Sequence, residues 1–76
     1  MRYSGTTHAT VPEILQRARA TFGPSGAGLR LASTDLTSAT YAHASGHVTV
    51  AIQPGFGENA VVVETREFDA DAVRFI

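Results

Sequence analysis

The chain has 76 residues, no cysteine and a formal net charge of −1. This length allows a single domain, residues 1–76, and the composition excludes disulfides and thiolate metal sites. The balanced charge disfavours nucleic acid as a partner, and no apolar run approaches the roughly 18 residues that a membrane span needs. We therefore predict a cytoplasmic protein with no nucleic-acid or membrane partner.

The first elements are a short strand and an amphipathic helix. Residues 2–8 alternate Tyr3 with small and β-branched polar residues, which is typical of a strand near a sheet edge. Thr10-Val11-Pro12-Glu13 forms a capping box that starts a helix at Val11, and Gly23-Pro24 ends it. Apolar residues at helical spacing predict one core-facing side, formed by Val11, Ile14, Leu15, Ala18 and Phe22.

Four further strands are predicted from alternating or β-branched runs. They cover Leu29–Ser33, Ser38–His43, His47–Ile52 and Ala60–Glu67. We expect Gly46 to adopt the left-handed conformation in the hairpin between the second and third of these strands.

A seven-residue helix is predicted at the end of the chain. Asp69 is the expected N-cap of a helix over Ala70–Ile76, with Phe68 packing on Val73. Because so short a helix is unstable alone, it must pack on the sheet or on a partner chain. The fold class is α+β: an antiparallel sheet with one amphipathic helix and a short C-terminal helix, in the order β-α-β-β-β-β-α.

Three histidines are the first candidates for chemistry. His43 and His47 flank a short turn and could face each other, and His8 or an acidic residue could supply a third metal ligand. No fixed spacing supports a metal site, so we interpret all three as solvent-facing polar residues.

A glycine-rich segment, Gly23–Gly28, is the second candidate. Glycine-rich backbone can present amides to an anion, but phosphate loops follow a strand and open a helix. Because this segment follows a helix and contains no lysine, we interpret it as a helix stop and connector.

Three aromatic residues allow two interpretations each. Phe56, between two glycines, could be an exposed interaction handle, although folding back over the sheet edge is favoured. Tyr3 and Tyr41 could line a ligand groove on an open sheet face or close the core beneath a helix, and we favour the core. No Ser, His and Asp are spaced as a catalytic set, so we predict no catalytic, cofactor-binding or metal-binding residues and no enzyme activity.

Several segments resemble small uncharacterised bacterial proteins over most of the chain. They are Phe22–Leu29 (FGPSGAGL), Gly46–Val50 (GHVTV), Val63–Asp69 (VETREFD) and Val73–Phe75 (VRF). This resemblance implies no activity. A bacterial origin also agrees with the use of arginine for all six basic residues, which we interpret as the codon bias of a GC-rich genome.

The element order separately resembles the TATA-box-binding protein and the core of START-like helix-grip proteins. That topology implies helices lying on a curved antiparallel sheet. A minor-groove grip would need Arg, Lys and intercalating Phe on the strands, but the strand residues are mainly Thr, Ala, Val and Glu, so DNA binding is rejected.

Two functional hypotheses remain. The first is a non-catalytic interaction module that self-associates as a homodimer, because the domain is small and its sheet edges are exposed. The alternative is a small apolar-ligand binder of reduced helix-grip type, with Tyr41, Phe56 and Phe68 as lining residues.

Overall fold

The computed structural model describes residues 1–76 and contains five strands and two helices. The strands are β1 (Arg2–Thr7), β2 (Arg30–Thr34), β3 (Ser38–His43), β4 (Gly46–Pro54) and β5 (Asn59–Arg66), and the helices are α1 (Val11–Phe22) and α2 (Asp69–Phe75). The predicted α+β class and element order are confirmed.

The five strands form one antiparallel sheet in the order β1-β5-β4-β3-β2. Hairpins connect β2 through β5 in sequence, whereas α1 carries the chain from β1 at one edge to β2 at the other. The two strands that the sequence separates by a helix are therefore the two free edges of the sheet.

Helix α1 begins at the predicted capping box. The Glu13 amide donates to Thr10 Oγ1 over 3.3 Å, and the Thr10 amide donates to Glu13 Oε1 over 3.3 Å. The helix ends where the Gly23 amide donates to the Arg19 carbonyl oxygen over 2.9 Å. Both ends thus form where local sequence supplies partners for the unpaired backbone groups.

Both helices lie on one side of the sheet, which we call the helix side. α1 contacts β3 and β4, and α2 contacts β5 and α1. The Phe22 ring lies between Tyr41 and Phe75, with ring centroids 6.2 Å and 5.4 Å away. The core comprises Ile14, Ala18, Phe22, Leu29, Ala39, Tyr41, Val48, Val50, Ile52, Val61, Val63 and Ala72. The prediction that Tyr41 belongs to the core is confirmed.

No element covers the opposite side of the sheet, which we call the open face. Strand register places on it the side chains that alternate with the core residues, and most of them are small or hydroxylic. The open-face residues of the three inner strands are Ser38, Thr40, Ala42, His47, Thr49, Ala51, Gln53, Ala60, Val62, Glu64 and Arg66.

Three local expectations are wrong. Gly46 does not have a positive φ; glycine is needed there because a Cβ would overlap the Arg66 carbonyl oxygen on the neighbouring strand. The N-cap of α2 is Phe68 without a side-chain cap, because the Asp69 carboxylate is bonded elsewhere. Val73 is also exposed rather than packed beneath Phe68.

Candidate functional site

The free edge formed by β1 is a regular, unbulged strand. The Met1 and Thr65 backbones exchange two hydrogen bonds, of 2.7 Å and 2.8 Å. Because bonding direction alternates along an antiparallel pair, Tyr3, Gly5 and Thr7 turn their amide and carbonyl groups toward β5. The corresponding groups of Arg2, Ser4 and Thr6 then point outward from the sheet. β1 presents an unbroken row of unpaired backbone donors and acceptors.

Helix α2 lies beside this edge on the helix side. Tyr3 Oη donates to Asp69 Oδ1 over 2.9 Å. At the other end of α2, Ile76 Cγ2 lies 3.3 Å from the point that a Cβ on Gly5 would occupy. Spacing of four and three residues puts Val73 on the same side of the helix as Asp69 and Ile76. Val73 and Ile76 remain 58% and 48% exposed, so they form an apolar shoulder along β1.

The Tyr3–Asp69 contact also alters an ionisation. Partial burial raises the pKa of Tyr3, and the hydrogen bond to the Asp69 carboxylate and its negative charge raise it further. The neutral phenol is therefore the form that ties α2 to β1. This contact explains why Asp69, which the sequence predicted as a helix cap, is turned away from the α2 backbone.

The other free edge, β2, is irregular. Leu31 pairs with Tyr41 and Ser33 pairs with Thr40, so Ala32 is an extra residue that bulges out of the ladder. All five residues of β2 are exposed, including Leu31 on the helix side, which is 48% exposed. The Asp35 carboxylate closes the following turn by accepting from the Thr37 amide over 2.9 Å, which lowers the pKa of Asp35.

The histidines lie apart. Register places His43 opposite Gly46 on the helix side and His47 opposite Ala42 on the open face, so the two imidazoles do not face each other across the turn. His8 lies at the other end of the sheet, where Nδ1 is 2.7 Å from the Gly57 carbonyl oxygen. No three His, Cys, Asp or Glu residues are grouped so that they could hold a metal ion.

One histidine contacts a serine, an arrangement the sequence reasoning did not identify. His43 Nδ1 is 2.9 Å from Ser45 Oγ and accepts from the Ser45 amide over 3.2 Å. The His43 ring lies edge-on to Phe68, with ring centroids 5.8 Å apart. His43 and Ser45 are both exposed at the β3–β4 turn. Because no carboxylate orients the imidazole, the contact closes the turn and does not form a triad.

Most amides of the glycine-rich segment are already engaged. The amides of Gly26 and Gly28 donate to the Gly23 carbonyl oxygen, the Ala27 amide to Thr21 and the Leu29 amide to Phe22, over 2.9 to 3.0 Å. Donors consumed by the helix end cannot bind an anion. The interpretation as a helix stop and connector is confirmed.

The three lining residues of the ligand-binding hypothesis do not converge. Tyr41 is 2% exposed in the core, whereas Phe56 is fully exposed at the tip of the β4–β5 loop, so its expected folding over the edge is wrong. Phe68 packs beside His43 at the opposite end of the sheet. The cavity between β1 and the helices holds about 90 Å³, well below the roughly 300 Å³ of small-molecule pockets. A second depression of about 370 Å³ lies on the open face, and none of the three aromatic residues lines it.

Comparisons with protein families, with curated proteins and with solved structures found no match to this chain. The likeness to small bacterial proteins and the TATA-box-binding-protein-like topology therefore stay predictions. No helix of the chain is long and apolar enough to cross a membrane.

Proposed function

We propose that this domain is a non-catalytic interaction module that self-associates, and that a second copy pairs along β1. The observation that supports this most strongly is the combination at one edge of a regular strand, outward-pointing backbone groups and an apolar shoulder. An edge of this kind is a template for another strand, and natural proteins that do not use one usually blunt it.

The register of β1 suits a two-fold contact. If Ser4 lies opposite Ser4 of the second copy, the outward amide and carbonyl groups of Arg2 pair with those of Thr6 of the second copy. By symmetry, Thr6 of the first copy pairs with Arg2 of the second. All three outward residues then find partners in an isologous arrangement. The two Arg2 side chains are separated by four strand positions, about 14 Å, so like charges do not face each other.

The helix side adds apolar contact to this backbone pairing. Val73 and Ile76 of each copy line the groove above the joined strands, where their exposed area can be buried. A six-residue edge buries less surface than a standard stable interface, so we expect dimerisation at micromolar concentration. The five strands of each copy would continue as one sheet across the two-fold axis.

A catalytic role has less support. The carboxyl group with a lowered pKa, Asp35, lies in an exposed turn, and all three histidines are exposed. A cytoplasmic location stays part of the proposal because the chain has no cysteine. A bacterial origin stays part of it because all six basic residues are arginine.

Sedimentation velocity over a concentration series tests the proposal with two matched variants. Ser4→Asp puts like charges opposite each other at the two-fold axis, so we expect a monomer at every concentration. Ser33→Asp makes the same change on the open face of β2 and should dimerise like the unmodified chain. Circular dichroism checks that both variants fold.

Two results would contradict the proposed dimer. One is a monomer for the unmodified chain up to about 500 µM, well above micromolar affinity. The other is equal loss of dimer in the Ser4 and Ser33 variants, which would indicate an interface away from β1.

A further inference from the structure

A cationic row crosses the open face at the end of the sheet near the β3–β4 turn. Register pairs Arg30 with Ala42, Ala42 with His47, and His47 with Arg66, so these four residues lie side by side on β2, β3, β4 and β5. All four point away from the helix side. We call this set the arginine row.

The charge of the arginine row is not neutralised by the protein. The single ion pair of the chain joins Arg74 and Asp71 on α2, so neither Arg30 nor Arg66 has a carboxylate partner. Among the seven acidic residues, Glu64 alone projects from the open face of the strands, two residues before Arg66 on β5. A chain with a net charge of −1 thus carries a locally positive strip that its composition conceals.

The spacing of the row suits an anion held from both sides. Neighbouring strands lie about 4.8 Å apart, so the Arg30 and Arg66 backbones, three strands apart, are separated by about 14 Å. An extended arginine side chain reaches roughly half that distance. Ala42 and His47 occupy the two strand positions between them, and the small Ala42 side chain leaves room for a ligand there.

From this arrangement we propose that the arginine row binds the phosphate groups of a soluble phosphorylated small molecule, with Arg30 and Arg66 each donating to phosphate oxygens and His47 contacting them from below. Planar guanidinium groups match the geometry of phosphate oxygens and bind them through paired hydrogen bonds. Because the two arginine backbones are about 14 Å apart, a diphosphate group suits the span between them better than a shorter monophosphate does.

Other phosphate sources fit this surface less well. Single-stranded nucleic acid is usually held by aromatic side chains on which bases stack, and the open face has no aromatic residue. A lipid surface would need apolar side chains beside the arginines, but the neighbouring open-face residues are Thr40 and Thr49, whose hydroxyl oxygens are 3.2 Å apart.

Titration with inorganic pyrophosphate at constant ionic strength, followed by ¹H–¹⁵N NMR, tests the proposal. We expect saturable shifts confined to the amides of Arg30, Ala42, His47 and Arg66 and to the guanidinium Nε–H groups of the two arginines. Arg30→Gln and Arg66→Gln should each weaken binding by about tenfold, as loss of a charge-assisted pair predicts. Arg19→Gln, on the exposed side of α1, is the matched control and should bind like the unmodified chain.

The proposal is overturned if the shifts do not saturate, if they lie elsewhere, or if the Arg19 variant loses as much affinity as the other two. If a single-stranded oligonucleotide or anionic phospholipid vesicles bind more tightly than pyrophosphate at equal phosphate concentration, the ligand is not a soluble small molecule. The row lies on β2 to β5, so monomeric Ser4→Asp should bind pyrophosphate unchanged, which separates failure of this inference from failure of the dimer.

Discussion

The two free edges of the sheet differ in almost every property that governs strand pairing. β1 pairs with β5 without a shift in register, whereas β2 carries a bulge at Ala32. α2 places the exposed Val73 and Ile76 beside β1, whereas all five residues of β2 are exposed. A bulge twists an edge and interrupts its row of donors and acceptors, which is a common protection against unwanted pairing. The domain thus protects one edge and leaves the other open.

Deleting Ala32 is expected to have the largest effect, because it removes the difference between the edges. With the bulge gone, β2 becomes a second regular edge, and the glycine-rich segment before it can absorb the one-residue shift. A chain with two competent edges joins at both ends, so we predict open-ended growth in place of a closed dimer. Light scattering against concentration measures it.

The control for the deletion is the same deletion combined with Ser4→Asp. That chain keeps one competent edge, β2, and should stop at a dimer. A single deletion that leaves particle size unchanged would mean that the bulge does not protect β2.

Ser4→Pro should weaken dimerisation by about 30-fold. Proline removes the outward amide of Ser4 in each copy, and two lost hydrogen bonds at about 1 kcal/mol each correspond to that factor. The monomer should keep its fold, because proline is tolerated at an edge position whose amide faces solvent. Sedimentation equilibrium gives the dissociation constant, and an unchanged value would exclude Ser4 from the contact.

Val73→Thr should weaken dimerisation by about 15-fold. The substitution keeps the shape of the side chain and replaces one methyl group in each copy, a loss of about 0.8 kcal/mol per group. Leu36→Thr is the control, since Leu36 is almost fully exposed in the β2–β3 turn, far from β1. Equal effects of the two substitutions on the dissociation constant would show that α2 does not contribute.

Alkaline pH should produce the smallest effect and distinguish the edge tyrosine from the buried one. The chain has no lysine and no cysteine, so Tyr3 and Tyr41 are the side chains that titrate near pH 10. The pKa of both tyrosines is raised, Tyr41 by burial and Tyr3 by burial and the contact with Asp69. Because the folded state favours the neutral phenols, stability is complete below the unfolded pKa and falls as pH rises through the folded pKa.

Urea unfolding of Tyr3→Phe and Tyr41→Phe from about pH 8 to 11 checks this expectation across the tyrosine range. Each variant should lose less stability at high pH than the unmodified chain. The share of the alkaline loss of stability that is due to Tyr3 should grow with protein concentration, because dimerisation buries Tyr3 further. The share that is due to Tyr41 should not change with concentration. A concentration-independent effect of Tyr3 would argue against an interface at β1.

Local sequence predicted most of the fold. The capping box around Thr10 and Glu13, the stop at Gly23 and the alternation of valines in β4 and β5 depend on neighbours within a few residues, and the structure confirms each. Gly46 was misassigned because its requirement comes from the Arg66 carbonyl on another strand. Asp69 was misassigned for the same reason, since its partner Tyr3 lies 66 positions away.

The candidate sites were beyond sequence reasoning because they depend on strand order and register. Alternation around Tyr3 indicated an edge strand, but nothing local showed that α2 would lie beside it. Arg30, His47 and Arg66 are far apart in the sequence and become one row only through the pairing of four strands. The bulge at Ala32 likewise has no glycine to mark it.

Hydrogen exchange at several protein concentrations tests the central claim most directly, because it reports on each backbone amide of the two edges. If β1 pairs with a second copy, the amides of Arg2, Ser4 and Thr6 should exchange more slowly as concentration rises through the dissociation constant, while amides 31–34 of β2 keep one rate throughout. Concentration-independent exchange of the three β1 amides in a sample that is shown to be dimeric would contradict it, and slowing confined to β2 would place the interface at the opposite edge.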